Sequence, residues 1–221
     1  MRIVIAGGHG KIALHLEQLL AERGDRPVGL IRRAEHAEDL RARGAEPVLC
    51  DLESTDPATL AAELAGADAV VFAAGAGPGS GAARKDTVDR GAAVLLADAA
   101  ELAGVGRYVM VSSMGADAAA PDGDDPVFGA YLRAKGAADD DLRARPGLAW
   151  TVLRPGRLTN DPPTGRVRLA EHTGWGSVPR ADVAAVLAAL LTDPAPAVGR
   201  TLELVSGDRA VAEAVADLVS P

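Results

Sequence analysis

The chain of 221 residues sets 23 Lys and Arg against 31 Asp and Glu, a formal net charge of −8, with 48% hydrophobic and 24% charged residues. That composition supports one ordinary domain with a sizeable core and excludes intrinsic disorder, while an acidic balance without a basic run excludes a nucleic-acid surface. No apolar stretch approaches the roughly 18 residues of a membrane span, no cleavable leader is evident, and a cytoplasmic protein is expected; the single Cys50 and four scattered His exclude a disulfide scaffold and a zinc site.

Apolar runs too short for helices alternate with Ala/Leu-rich stretches of helical period, the pattern of βαβ units. The first strand, Arg2 to Ala6, runs into Gly7-Gly8-His9-Gly10-Lys11-Ile12-Ala13, a GxxGxxA turn that opens a helix over Lys11 to Arg23. Glycines there let the chain turn tightly and bring backbone N–H groups to a pyrophosphate at a helix N-terminus. With 25 Gly in the chain, about three GxxG pairs arise by chance, so the inference rests on the place after the first strand. Lys11 is a further candidate for phosphate.

The second strand, Pro27 to Ile31, ends at Arg32-Arg33, where a dinucleotide fold meets the adenosine ribose. An acid there accepts the 2′-hydroxyl of NAD, and Glu35 is close enough to be considered. Two guanidiniums instead suit the 2′-phosphate of NADP, so NADP is favoured over NAD. After a helix over Glu35 to Arg43, the third strand, Glu46 to Leu49, precedes Asp51-Leu52, the place from which such folds hold the adenine edge. Asp56-Pro57 caps a helix over Pro57 to Leu64, the fourth strand is Ala69 to Ala73, and a helix spans Arg84 to Ala103 and stops at Gly104.

The fifth strand, Tyr108 to Ser112, is followed by a helix over Phe128 to Arg145 that carries Tyr131-Leu132-Arg133-Ala134-Lys135. A YxxxK puts both side chains on one helix face. A phenol is a poor acid-base group at neutral pH, and a nearby ammonium favours its phenolate. Tyr131 is therefore read as the proton donor to a carbonyl oxygen, with Ser113, and Ser112 in reserve, as the hydroxyl that polarises that oxygen. A sixth strand over Ala149 to Leu153, a helix over Arg180 to Leu191, a seventh strand over Thr201 to Val205 and a helix over Arg209 to Val219 complete the chain. Parallel strands with helical crossovers give a Rossmann-like, doubly wound, three-layer α/β fold in a single domain spanning 1–221. Its irregular stretches near 115–127 and 155–180 are expected as small substrate-lobe insertions around Trp175, Phe128 and Leu158.

These residues resemble the short-chain dehydrogenase/reductase superfamily, in its atypical, short NAD(P)H-binding branch near the NmrA-like proteins and the flavin/biliverdin reductases. The likeness runs through GGHGKIA, IRR, CDL, FAAGAG, GVGRYVMVSSMGA, YLRAK, WTVLRPGRLT, VPRADVAAVL and LELVSGD. It implies that Lys135 holds the nicotinamide ribose as well as tuning Tyr131, that Ala73, Ala74 and Gly75 line the cofactor after the fourth strand, and that Pro155, Gly156, Arg157 and Leu158 lie against its nicotinamide end. The Asn of the usual catalytic tetrad is missing, because Asn160 is the only Asn in the chain, and Asp89 offers no obvious substitute.

The expected function is an NADP-dependent oxidoreductase acting on a small carbonyl or conjugated substrate, as a monomer or homodimer with no nucleic-acid or membrane partner. An NAD(P)H-binding sensor is the first alternative. An epimerase or dehydratase ranks third, since the chain leaves little room for a sugar-nucleotide lobe. The carboxylates of 121–126 lack the ligand positions of a calcium loop, no metal is expected, and Asp139-Asp140-Asp141 reads as a solvated helix face.

Overall fold

In the computed structural model, which describes residues 1–77, 79–192 and 195–218, the N-terminal half alternates strand and helix as the pattern requires. Strand β1 (Arg2–Ala6) leads to α1 (Lys11–Glu22), β2 (Arg26–Ile31), a short 3-10 turn at Ala34–His36, α2 (Ala37–Arg41), β3 (Glu46–Leu49), α3 (Pro57–Glu63) and β4 (Ala69–Phe72). Asp56 caps α3 by accepting from Ala58 N and Thr59 N at 2.9 and 3.0 Å, with Pro57 in the first helical position.

The expected helix over 84–103 is three pieces: α4 (Ala82–Arg84), a widened π segment (Lys85–Gly91) and α5 (Ala92–Ala103). Gly104 ends α5 at φ 71°, a left-handed conformation that glycine adopts without steric cost. Strand β5 (Arg107–Val111) and α6 (Pro126–Arg143) follow, and α6 starts at Pro126 because Asp125 caps it through Val127 N and Phe128 N.

The stretch expected to be irregular, 155–180, contains strands. After β6 (Ala149–Pro155) come β7 (Arg157–Thr159), β8 (Arg166–Ala170) and β9 (Ser177–Pro179), then α7 (Arg180–Leu190), β10 (Arg200–Ser206), β11 (Arg209–Ala210) and α8 (Val211–Ala216). The expected last helix over 209–219 thus begins with a two-residue strand, and Val219 lies outside the described residues.

The nine-stranded sheet has the order β11-β8-β10-β6-β5-β4-β1-β2-β3. Its strands from β10 to β3 pair in parallel, whereas β8 runs against β10 and β11. This antiparallel edge departs from an all-parallel reading, and β8 shows why: its burial alternates, as a strand solvated on one face must. Two buried clusters cover the sheet, one joining Ile3, Ile5, Leu16, Leu20 and Val109 to α7 residues such as Val186 and Leu187, the other joining Val4, Val70 and Tyr108 to Leu60 and Leu96. Three layers result, with the order of strands reversing between β1 and β4, so ligands are expected outside the carboxyl ends of those strands. Among the described residues no helix is long and apolar enough to cross a membrane.

Candidate functional site: a nucleotide groove opening into a Tyr-Lys pocket

The turn after β1 is shaped by close packing. A Cβ on Gly7, which sits at φ +82°, would lie 2.6 Å from Ala74 Cα, and one on Gly8 would lie 2.7 Å from Gly29 Cα. Only glycine therefore lets this turn lie against β2 and the chain after β4. Gly10 is the N-cap of α1, and no described side chain caps that helix, so its first-turn N–H groups stay available to an anion. A side chain on Gly10 would come within 3.0 Å of Gly7 O. These free amides in a cradle that a Cβ would fill fit the pyrophosphate of a dinucleotide.

A cavity of about 260 Å³ lies over this turn. It brings together Gly7, His9, Gly10, Arg32, Asp51, Leu52, Ala73, Ala74 and Gly75 from the sequence-based set. Gly8, buried against β2, the exposed Lys11, and Arg33, which lies 3.4 Å from Glu35, do not line it. Among the lining residues that the sequence does not single out are three with polar side chains at the outer end, His36, Glu53 and Arg84. His9 and His36 stack with ring centroids 3.6 Å apart, and His9 Nε2 is 2.8 Å from Asp39 Oδ2. Glu53 lies 2.6 Å from Arg84 and 3.8 Å from Arg32. The Arg84 hydrogen bond holds the Glu53 carboxyl below the usual carboxylate range. Glu53 thus keeps two guanidiniums at the groove's outer end.

Gly10 and Ala73 to Gly75 also line a neighbouring cavity of about 620 Å³ that reaches Ile12, Tyr131, Lys135 and Leu158. Tyr131 and Lys135 therefore stand at the inner end of one continuous groove. Lys135 is 3% exposed, and its Nζ donates to Val111 O at 3.1 Å and lies 3.5 Å from Asp89 Oδ1. Asp89 is buried too, and its other oxygen accepts from Ala76 N at 3.2 Å. Asp89, which the sequence offers as no obvious substitute for the missing tetrad Asn, is turned inward by the π segment and ties the lysine to the loop after β4.

Ser112 and Ser113 finish β5 differently. The buried Ser112 hydroxyl donates to Asp139 Oδ2 at 2.9 Å, while Ser113, half-buried, donates to Met114 O at 3.2 Å. Both line a third cavity, of about 410 Å³, with Tyr131. Asp139 is not a solvated residue: it is fully buried, with Arg154 Nη2 2.7 Å from Oδ2 and, among the described residues, no partner for Oδ1. Residues 135, 138, 139 and 142 form the face of α6 that meets the sheet, and Asp139 goes inside with them. Burial pushes its carboxyl up, against the pull of Arg154 and the Ser112 hydrogen bond.

The third cavity is walled by Met114, Phe128, Leu158 and Trp175, with Pro155, Gly156, Arg157 and Arg180 at its rim. A Cβ on Gly156 would fall 2.3 Å from Gly176 O, so glycine is needed where β7 meets the chain before β9. Asp182, buried on α7, braces the same region by accepting from Thr164 N and Gly165 N, each at 2.9 Å. Among the described residues no group of three His, Cys, Asp or Glu is placed to hold a metal ion.

A family model described as NAD(P)H-binding matches residues 7–194. Over 219 residues the chain is 35% identical to an uncharacterized sugar epimerase of Bacillus subtilis, covering 99% of this chain and 100% of that one. A Bacillus halodurans structure, provisionally assigned as an NAD-dependent epimerase/dehydratase, is 37% identical with a TM-score of 0.90, covering 99% of this chain and 100% of the other. An anaerobillin reductase from Escherichia coli O157:H7 is 26% identical with a TM-score of 0.78, over 95% and 98% of the two chains. The free amides of α1, the glycine cradle and these likenesses agree: the chain belongs to the NAD(P)H-binding family, an oxidoreductase-like group of Rossmann-type proteins with reductases among its structural neighbours.

Proposed function

We propose that the protein is an NADPH-dependent reductase of a small carbonyl or conjugated substrate, with Tyr131 as the proton donor. The observation that carries this reading is the run of adjoining cavities that leads from the glycine turn past Lys135 to Tyr131 and Ser113. A reduced nicotinamide, when bound, supplies the hydride.

The chain's own residues do the rest. First-turn amides of α1 take the pyrophosphate, and Arg32, supported by Arg84 and His36, takes the 2′-phosphate of NADP in preference to the bare ribose of NAD. Lys135 is held by Val111 O and Asp89 at the place where it donates to the ribose hydroxyls. On the same helix face, Tyr131 gives its phenolic proton to the substrate oxygen, and Ser113 donates a hydrogen bond to that oxygen as its charge grows. Phe128, Leu158 and Trp175 keep water from the reacting carbon. Ser112 serves as a positioning residue through Asp139.

The epimerase designation of two relatives would employ the same Tyr131 and Lys135 on a sugar; the aromatic and aliphatic wall of the third cavity favours a conjugated substrate instead. The test is NADPH absorbance with a panel of quinones, aldehydes and flavins, for wild type and Tyr131→Phe. The substitution is expected to lower turnover about a hundredfold or more with cofactor affinity retained. Turnover equal in both proteins would remove Tyr131 as the donor, and no turnover of any panel member would turn the reading toward a cofactor sensor.

A further inference from the structure

The chain is acidic overall, yet among the described residues no carboxylate lines the third cavity, where Ser113 meets Tyr131, and Asp89 and Asp125 belong to the neighbouring one. Two arginines line the third cavity. Arg157 opens β7 with its backbone N donating to Gly176 O at 2.9 Å, while its exposed guanidinium has no hydrogen-bond or carboxylate partner among the described residues. Arg180, half-buried, lines both inner cavities and, among the described residues, its side chain is met only by the neutral Asn160, whose Oδ1 accepts from it at 2.9 Å. Many guanidiniums of this protein are neutralised, as in Arg84 with Glu53, Arg145 with Asp98 and Arg154 with Asp139, and others, such as Arg107 and Arg166, are satisfied by backbone carbonyls. The β7–β9 pairing sets Arg157 opposite Ser177, three residues before Arg180. Roughly 10 Å of strand separates the two backbones, within the combined reach of two arginine arms. Three of the chain's six aromatic residues, Phe128, Tyr131 and Trp175, share the same cavity, and Trp175 is 78% exposed. An exposed indole beside unneutralised guanidiniums calls for a ligand that covers the first and pairs with the second.

We propose that Arg157 and Arg180 form an oxyanion clamp, and that the substrate is a flat conjugated carbonyl compound bearing a carboxylate or phosphate group away from its reacting carbon. That the clamped molecule is a substrate rests on the reductase reading; that the cavity binds such an anion does not. Asn160 orients Arg180 without cancelling its charge, which leaves the guanidinium free to fork onto an oxyanion.

The experiment uses three probes of one conjugation: 4-carboxybenzaldehyde, its methyl ester, and 4-formylphenyl phosphate. Binding to the NADP-loaded and the free protein is measured by calorimetry, and reduction by NADPH absorbance. The clamp predicts at least about tenfold tighter binding of one or both anions than of the ester, since charge-assisted pairs exceed neutral contacts by that much. Arg157→Ala and Arg180→Gln are each expected to bring the anion-to-ester ratio toward one, and Arg180→Lys to keep part of it. The stronger of the two anions identifies carboxylate or phosphate as the group recognised. An anion-to-ester ratio near one in the wild type, a ratio that survives both substitutions, or no binding of any probe up to about 10 mM would overturn the proposal. Anion binding that depends on the arginines without reduction of any probe would keep the clamp and defeat the reductase reading.

Discussion

Replacing Glu17 by Met tests the packing beneath the nucleotide turn. Glu17 is fully buried on α1, and among the described residues neither carboxyl oxygen has a hydrogen-bond partner. A Cβ added to Gly29 or Gly8 would lie 2.5 or 3.0 Å from its Oε1, so the carboxyl is wedged under both. Burial pushes its pKa from 4.5 up to about 9, with Arg43 pulling the other way. The group is therefore protonated when folded at neutral pH and ionised when unfolded. Because the folded pKa is the raised one, the folded state binds the extra proton: its stabilisation is complete below 4.5 and is lost as pH rises through about 9. At about 1.4 kcal/mol per unit, the loss by pH 7.5 is about 4 kcal/mol. Met has similar length and needs no proton, and imperfect packing costs about 1 kcal/mol. Glu17→Met should thus be about 2–4 kcal/mol more stable than wild type at pH 7.5, and within about 1 kcal/mol of it at pH 5. For a chain of this size the gain at pH 7.5 corresponds to a Tm at least about 5 °C higher. Thermal unfolding followed by circular dichroism between about pH 5 and 9 reads this directly. Parallel pH profiles for the two proteins would refute the buried, protonated Glu17.

Two further substitutions probe the groove. Arg32→Glu should erase or reverse a preference for NADPH over NADH, because losing a charge-assisted phosphate contact costs about 1.5–3 kcal/mol, more than tenfold in affinity; equal dissociation constants for both cofactors in the wild type would remove the NADP assignment. Asp89→Asn keeps the shape beside Lys135 and removes the charge that ties it to the loop after β4, so NADPH should bind about tenfold more weakly. A dissociation constant equal to that of the wild type, read by cofactor titration, would assign Asp89 to packing alone.

Strand positions from β1 to β5 were legible because continuous apolar runs between helical stretches have few other folded solutions, and the Asp56-Pro57 cap acts through local hydrogen bonds alone. The glycine turn was legible in place but not in every role, since the contacts of Gly7 with Ala74 and of Gly8 with Gly29 join segments far apart in the chain. Strands β7, β8 and β9 hid among Pro and Gly, although Arg166 to Ala170 carries the alternation of an antiparallel edge strand. Asp139 was misread because three consecutive acids look solvated, and its cation, Arg154, sits on another element. The structure extends the sixth strand past Leu153 to take in Arg154, and a half-buried guanidinium inside a sheet requires a partner. Asp89 meets Lys135 only through a π segment, a local widening that no periodicity announces. Arg157 and Arg180 converge through β7–β9 pairing in the same way.

The most direct measurement is a crystal structure with NADP. The account predicts the 2′-phosphate at Arg32, the pyrophosphate on the first turn of α1, the nicotinamide ribose on Lys135, and the nicotinamide face open to the cavity of Ser113 and Tyr131. A cofactor bound with its nicotinamide turned out of that cavity, or with its ribose out of reach of Lys135, would contradict it.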